Sequence, residues 1–462
     1  MLYFDNATHD SADAYLADGL TEEVILRLQQ LQRLEVKSRY ESQRVRAAHQ
    51  TAPAAVGRIL DVRYLVNGSV QRAGSRVVVR VALTRADRGV DIWSERYDQT
   101  NSDVLDVIDA IARGVATGVA GRLLPAEAAN LSARPTADPI AYQQFLRGNF
   151  FLAQRSASSL AAATDAYAAA LARDSTFKPA LARIAYAYSL GVFYGIGTLS
   201  TDTILARAAS LSARAIREAP ELSDPWLAAG FLQAGEAFGG LGGGSMIEAR
   251  RLLARAVAIE PNSPEAHHQL AQVLFVLAED SLAEAEYRRA LAIDPARAVS
   301  LLELSILQLV TGRAGEARRS VDSAIALEPG IARAYEVRAA ADLELNDSAG
   351  ARADIARGIT LGSGGLLLEM RAFQALVLAK TGDTAQARQE VRALAGENGF
   401  QTWPVALATA ALNDTAATLD ALRRIPSHDL RCYAVRFPAL VPWQNEPSVA
   451  RITSACPWRR PH

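Results

Sequence analysis

The sequence predicts a small α/β domain followed by an all-α array of paired helices, mainly α overall. Three observations carry that reading. Strand and helix signals alternate over the first 125 residues, a polar, proline-bearing stretch follows them, and the remainder repeats itself every 34 residues. The chain has 462 residues, about three times a usual single-domain length, so more than one domain is expected. Half the residues are hydrophobic and the net charge is −1, with acids and bases interspersed. That balance supplies ample core material and no global field to draw in nucleic acid or an anionic membrane.

The first element is a short strand, "LYFD" (Leu2 to Asp5). Leu16, Leu20, Val24, Leu28 and Leu31 then recur at three- and four-residue steps, the spacing of one helix face. Gly19 interrupts that face at a cost of about 1 kcal/mol against alanine, which implies close approach by another backbone. Glu22 and Glu23 are adjacent, and neighbours on a helix diverge by about 100°, so they are expected to face water rather than to converge as a catalytic acid pair. "RLEVKS" (Arg33 to Ser38) has the composition of a second strand, and Pro53 to Leu60 that of a short helix. A three-strand meander follows, "VRYLVNGSVQR", "RVVVRVALTR" and "VDIWSERYD", turning at Ala73-Gly74-Ser75 and at Ala86 to Gly89. Its central strand puts Val77, Val79, Val81 and Leu83 on one face, with Arg80 and Thr84 on the other. A closing helix within Asp103 to Leu124 turns Val104, Ile108, Ile111 and Val115 inward. The resulting division is an α/β domain over 1–125, a linker over 126–140, helix pairs over 141–425 and a capping tail over 426–462.

The repeat is clearest in "AEAEYRRALAIDP", where Ala283, Tyr287, Ala290 and Pro295 form A-x3-Y-x2-A-x4-P. The same register holds Ala317, Val321, Ala324 and Pro329 downstream, and Ala249, Leu253, Ala256 and Pro261 upstream. Ala351 with Ile355 extends it, and Ala163, Ala208 and Ala387 open degenerate copies, giving about seven helix pairs. Period and pattern resemble the tetratricopeptide repeat. Insertions between helices fall at "FYGIGTLSTDT" and at the glycine-rich "GGLGGGS" (Gly239 to Ser245). The tail, with Phe437, Trp443 and Trp458, is expected to cover the last pair's bare apolar face.

The search for chemistry finds little. "GGLGGGS" lacks the Lys-Ser/Thr of a phosphate loop and follows a helix pattern rather than a strand. The histidines His9, His49, His267, His268, His428 and His462 show no H-E-x-x-H or comparable metal spacing. His267 stands where such repeats give tryptophan, so a packing role is expected. The arginine pairs Arg250/Arg251, Arg288/Arg289 and Arg423/Arg424 alternate with alanine and acids as solvated helix faces do. Cys432 and Cys456 allow one bridge in the tail or two free thiols, and free thiols are the expectation. No apolar run is long enough to span a bilayer, and the chain reads as soluble, cytoplasmic by default, with an extracytoplasmic place open if it is part of a longer membrane-anchored protein.

A surface remains. First helices of such pairs line a concave side, and the inner positions are Leu227 and Phe231, His268 and Gln272, Leu302 and Ile306, then Arg333 and Glu336. Leu302, Ile306 and Leu309 are apolar there. Either they are covered by the chain itself, or they form a groove for an amphipathic or extended peptide.

"LYFDN", "YLADGLTEEV", "LDVRYLVNGSVQRAGSRVVVRVAL" and "DIWSERYD" together resemble the TolB amino-terminal-like domain that accompanies tetratricopeptide repeats in bacterial signalling proteins. The resemblance implies a non-catalytic module with no cofactor or metal, which holds a protein or peptide partner. It also implies an alternative. Such modules commonly follow a serine/threonine kinase, a nucleotide cyclase or a winged-helix domain, sometimes with a membrane span between, and related domains carry more apolar residues before the first strand. On that alternative the chain is the regulatory part of a longer protein.

Overall fold

The computed structural model describes residues 1–8, 14–29, 31, 33–37, 41–42, 45, 52–74, 76–100, 104–131, 135–394 and 403–457. It is a small α/β domain followed by tetratricopeptide-type helix pairs. Two compact units divide it, Met1–Ala229 with Asp294–Ala296, and Gly230–Ile293 with Arg297–His462. Ser38, Ser75, Asp103, Trp458, His9, His49 and His462 lie outside the described residues, as does the Val104 side chain.

In the first unit a four-stranded sheet runs in the order β1-β2-β3-β4, with β1 Asp5–Asn6, β2 Tyr64–Ala73, β3 Arg76–Arg85 and β4 Val90–Thr100. β1 pairs parallel with β2, and the other three form the expected antiparallel meander, Val79 facing Val70 and Tyr97. Alternation does the sorting: Val77, Val79, Val81 and Leu83 are all buried while Arg80 is exposed. The helix Val104–Ala120 covers that face with Ile108, Ile111 and Val115. Thr84 lies on the opposite face with Arg80, and is buried there: it receives Asn67 Nδ2 at 3.1 Å and donates to Asp91 Oδ1 at 2.6 Å.

Three expectations are corrected here. The first strand shrinks to Asp5–Asn6, although Leu2 N–H still bonds Val66 O at 2.8 Å. Arg33–Lys37 forms no strand, because Leu34 N–H turns back to Leu31 O at 2.9 Å. The stretch assigned as linker contains the helix Pro125–Leu131, whose Leu131 is fully buried.

Glu22 and Glu23 have the structural role expected but do not stand in water. Both are half-buried on the helix Ala14–Gln29. Glu22 accepts from Tyr3 Oη at 2.9 Å, and Glu23 from Arg27 Nε at 3.0 Å. Arg27 is buried, pairs with Asp109 and donates to Leu131 O at 2.9 Å. The helix's polar face is therefore used to hold three elements together. Gly19 meets a side chain rather than a backbone: a Cβ there would stand 3.2 Å from Leu146 Cβ, on the helix Pro139–Leu152.

Helix pairs run from Pro139–Leu152/Ala157–Arg173 to Pro404–Ala411/Thr415–Arg424. There are eight among the described residues, one more than the register shows, because the final short pair lacks the alanine pattern. The repeat logic is uniform inside each pair. Ala163, Ala208, Ala249, Ala283, Ala317, Ala351 and Ala387 are all at 0% exposure. Facing them, Ala185, Ala271, Ser305 and Ala339 of the first helices are equally buried, and a Cβ on Gly230 would fall 2.6 Å from Leu253 Cγ. A second recurrence fixes where three of the first helices begin. Trp226 Nε1 donates to Pro220 O at 2.9 Å, His267 Nε2 meets Pro261 O at 3.0 Å, and Tyr335 Oη donates to Pro329 O at 3.1 Å. The side chain four places into the repeat thus clasps the carbonyl six residues back, and His267 is a packing residue of this kind.

"GGLGGGS" is a connection whose Ser245 caps the helix Met246–Ile259 through Glu248 N–H at 3.3 Å. Arg250, Arg251, Arg288 and Arg424 pair with Glu279, Glu248, Glu284 and Asp420, as solvated faces do.

Ala283→Leu overfills a helix–helix contact and is expected to cost about 1–3 kcal/mol. Arg288→Ala, on an exposed pair, should stay within about 0.5 kcal/mol. Urea unfolding of both variants against the parent checks the contrast.

Candidate functional site

The eight residues expected on the first-helix face do not form an open groove. Leu227, Phe231, His268, Leu302, Ile306 and Glu336 are buried, and only Gln272 and Arg333 are partly exposed. Leu227 belongs to the first unit and the other seven to the second. Within the second unit His268 Nδ1 lies 3.0 Å from Ser300 Oγ, and its ring stands edge-on to Tyr287 at 5.8 Å.

What covers this face is the chain's own tail. The helix Pro447–Ile452 packs on Thr415–Arg424, as a cap on the last pair should. The helix His428–Ala434 does something else, reaching back to Pro264–Val276 and across to Pro404–Ala411. Tyr433 is its plug, with ring centroids 5.5 Å from Phe238, 5.6 Å from Phe275, 5.6 Å from Trp403 and 5.3 Å from Phe437. Three of these contacts are edge-on to rings of three separate first helices or their caps, an arrangement aromatic quadrupoles favour. Arg436 follows, lying over Phe275 at 4.5 Å and donating to Phe275 O at 2.6 Å and Asp280 Oδ1 at 2.5 Å. Ser427 Oγ donates to Phe238 O at 2.6 Å. Phe437 closes the far side, near Leu343, Phe373, Leu376 and Leu407.

Beneath the plug lies a charged cluster. Arg333 Nη1 is 3.4 Å from Glu303 Oε1, and Trp403 Nε1 donates to Glu369 Oε1 at 3.0 Å. Glu336 is 2% exposed, and its Oε2 has no hydrogen-bond partner among the described residues. Burial pushes its carboxyl well above the usual range, with Glu369 adding to the shift and Arg333 opposing it. Burial also raises the Glu303 carboxyl and the Tyr433 hydroxyl, the latter with Glu303, Glu336 and Glu369 adding to the shift and Arg333 opposing it. On the helix that carries Arg333 and Glu336, Ala332–Glu344, burial pushes Asp342 up to about 6 despite its bond to Arg318, and Arg338 forks onto Asp354 at 2.6 and 2.7 Å.

The cysteine expectation is overturned: Cys432 and Cys456 are joined in a disulfide, which ties the plug helix to the segment after Pro447–Ile452. His428 Nε2 is 3.4 Å from Cys432 Sγ, one helical turn away. These three residues form a cluster of metal-ligand type, but the sulfurs are spent on each other. The residues that sequence reasoning missed are Tyr433, Arg436, Trp403, Glu303 and Glu369. The only available signal was Y-x-x-R-F over Tyr433 to Phe437, a one-turn aromatic and cationic stripe in a tail otherwise lacking period.

The first unit holds a cleft of about 600 Å³ beside β2, floored by Val66, Leu83 and Val115. Its rim mixes Lys37, Arg58 and Asp61, so it selects no sign of charge.

No family model matches the chain. Over 159 residues it is 31% identical to the putative adenylate cyclase 3 of Rhizobium meliloti (strain 1021), covering 34% of this chain and 27% of that protein. The chain thus spans about a quarter of that relative's length. Solved structures similar to it include the APC/C hetero-tetramer Cut9–Hcn1, at 14% identity, 77% of this chain, 63% of that chain and a TM-score of 0.46. A tetratricopeptide repeat protein from Parabacteroides merdae matches at 13% identity, 59% and 98% coverage and a TM-score of 0.39. YrrB, described as a TPR protein with an unusual peptide-binding site, matches at 16% identity, 44% and 97% coverage and a TM-score of 0.32.

The raised carboxyls set a pH dependence. An acid whose folded pKa lies above its unfolded value adds stability below the unfolded pKa and loses it as pH rises through the folded one. For Asp342 that window runs from 3.8 to about 6, and the Glu336 carboxyl, held well above its usual range, continues the loss as pH rises further. The melting temperature should therefore fall as pH rises above about 4. Glu336→Gln, which mimics the protonated carboxyl, should flatten that fall and melt higher than the parent at pH 8.

Proposed function

We propose that the chain is a non-catalytic protein-interaction scaffold in bacterial signalling. In this reading the helix pairs over 141–425 hold a protein or peptide partner, residues 426–462 close the array, and the TolB-like domain over 1–125, joined by 126–140, is the accompanying module. The observation that carries it is the unbroken register of buried alanines through seven successive second helices. Such a lattice builds extended surface from residues committed to packing. Gln272 and Arg333, the partly exposed members of the expected face, are the first candidates for partner contact. No helix among the described residues is long and apolar enough to cross a membrane.

The similarity to a putative adenylate cyclase over a third of the chain favours a second reading, in which this is the regulatory part of a cyclase or comparable signalling enzyme. The two separate by experiment. Affinity capture with the full chain from its source cells should recover a discrete protein, at least tenfold depleted when Gln272→Glu and Arg333→Glu are combined in a folded chain. Recovery unchanged by those substitutions removes the surface. The purified chain should form no cyclic nucleotide from ATP or GTP. Cyclase activity in the captured complex, or a cyclase domain in the same coding frame, decides for the second reading.

A further inference from the structure

The segment seated on the first-helix face of the second unit has two properties that a permanent cap does not need. It is closed by a covalent bond at one end, and it leaves polar chemistry beneath it unfinished. The disulfide joins Cys432, inside the plug helix, to Cys456, beyond the helix that truly caps the last pair. Between them the plug rests on a few directional anchors: the Tyr433 ring, Arg436 on Phe275 O and Asp280, and Ser427 on Phe238 O. Trp403, edge-on to Tyr433 at 5.6 Å, donates to Glu369 Oε1 at 3.0 Å, Arg333 stands 3.4 Å from Glu303, and Glu336 Oε2, in a residue 2% exposed, has no hydrogen-bond partner among the described residues. A phenol carries one donor. A lysine or arginine offers three to five and a compensating charge.

We infer that Ser427–Phe437 is a displaceable occupant of this face, latched by the Cys432–Cys456 disulfide. The partner that replaces it is a helical segment with a basic residue in the place of Tyr433, keeping the arginine and aromatic that follow it. The inference rests on the scaffold reading and names its regulation. Opening the latch takes a thiol or dithiol reductant: two electrons and two protons pass to the disulfide, its S–S bond breaks, two thiols form, and the reductant leaves as its own disulfide. With the latch closed, the tether holds the segment at an effective concentration in the millimolar range, against which a free peptide of equal affinity loses. Reduction alone lowers that advantage, and a better-matched competitor overcomes it.

The test uses the full chain and two labelled synthetic peptides. One copies residues 427–441, and the other is the same peptide with Tyr433→Lys. Anisotropy titrations are run with and without dithiothreitol, on the parent and on a Tyr433→Ala/Arg436→Ala chain shown by circular dichroism and elution volume to remain folded. Expected are no measurable uptake by the oxidised parent, and uptake at least tenfold tighter by the reduced double variant. The lysine peptide should bind at least tenfold tighter than the native one, with that preference lost in a chain also carrying Glu336→Gln. Reduced, folded double variant that takes up neither peptide overturns the inference. So does equal binding of the two peptides. Should the double variant not fold, hydrogen exchange on the parent decides. Amides of 427–437 should exchange at least tenfold faster with dithiothreitol, and equal protection in both states overturns the latch. A captured partner combined with failed peptide binding would leave the scaffold reading standing and this inference refuted.

Discussion

Helix pairs in this chain can approach closely because small side chains recur where two backbones cross, and most of the molecule's architecture follows from that steric allowance. Ala271 and Ala283, Ser305 and Ala317, or Ala339 and Ala351 present little more than a methyl group to the contact, all fully buried. Dispersion falls off steeply with distance, so a lattice of such contacts stabilises only while every crossing remains tight. Larger residues at the next register place fill the space against their own first helix, Leu253 meeting Gly230 and Tyr287 meeting the His268 ring. The clasp from Trp226, His267 and Tyr335 to a proline carbonyl then fixes the start of three first helices.

Tight pairs leave a consequence on the other side. The bulk that cannot sit at the crossings is displaced to the first-helix face, and in the second unit that face carries Leu302, Ile306 and Leu309 together with Phe231 and Phe275. An apolar strip of this size needs a cover. The tail supplies it with a seven-residue helix, because aromatic rings bury much area per residue and lose few rotamers on ordering. Covering an acidic cluster with a phenol is the less favourable part of that arrangement, and burial holds the Glu336 carboxyl toward its neutral form in response.

The repeat array was legible because one constraint, a small residue in each second helix, recurs at 34-residue intervals from Ala249 to Ala351 and at longer ones in the copies at Ala163, Ala208 and Ala387. The meander was legible for a similar reason, strict alternation through Val77 to Leu83. Elements set by partners far along the chain were not. "RLEVKS" has strand composition, yet Arg33–Lys37 joins no strand and Leu34 N–H turns back to Leu31 O. Thr84 looks like a solvent-facing residue until Asn67 and Asp91 enclose it. Glu23 looks exposed until Arg27, Asp109 and Leu131, more than a hundred residues away in the last case, meet above it. The site suffered most. The face positions were correctly placed on first helices, but their burial depended on a tail whose only signature is the short spacing of Tyr433, Arg436 and Phe437.

The disulfide fits this picture better than a purely stabilising role would. Its loop encloses the turn at Val441–Trp443 and the helix Pro447–Ile452, which already packs on Thr415–Arg424. Closing a loop restricts the unlatched ensemble most when the segment inside would otherwise wander. Here the end that would wander is the plug, since His428–Ala434 is only seven residues long and far below the length at which a helix persists without tertiary contacts. Freed from its staple, that turn keeps its shape only while Tyr433 and Arg436 stay seated. Fold and occupancy of the plug are therefore one equilibrium, and whatever shifts the contacts of those two side chains shifts the exposure of the face beneath them.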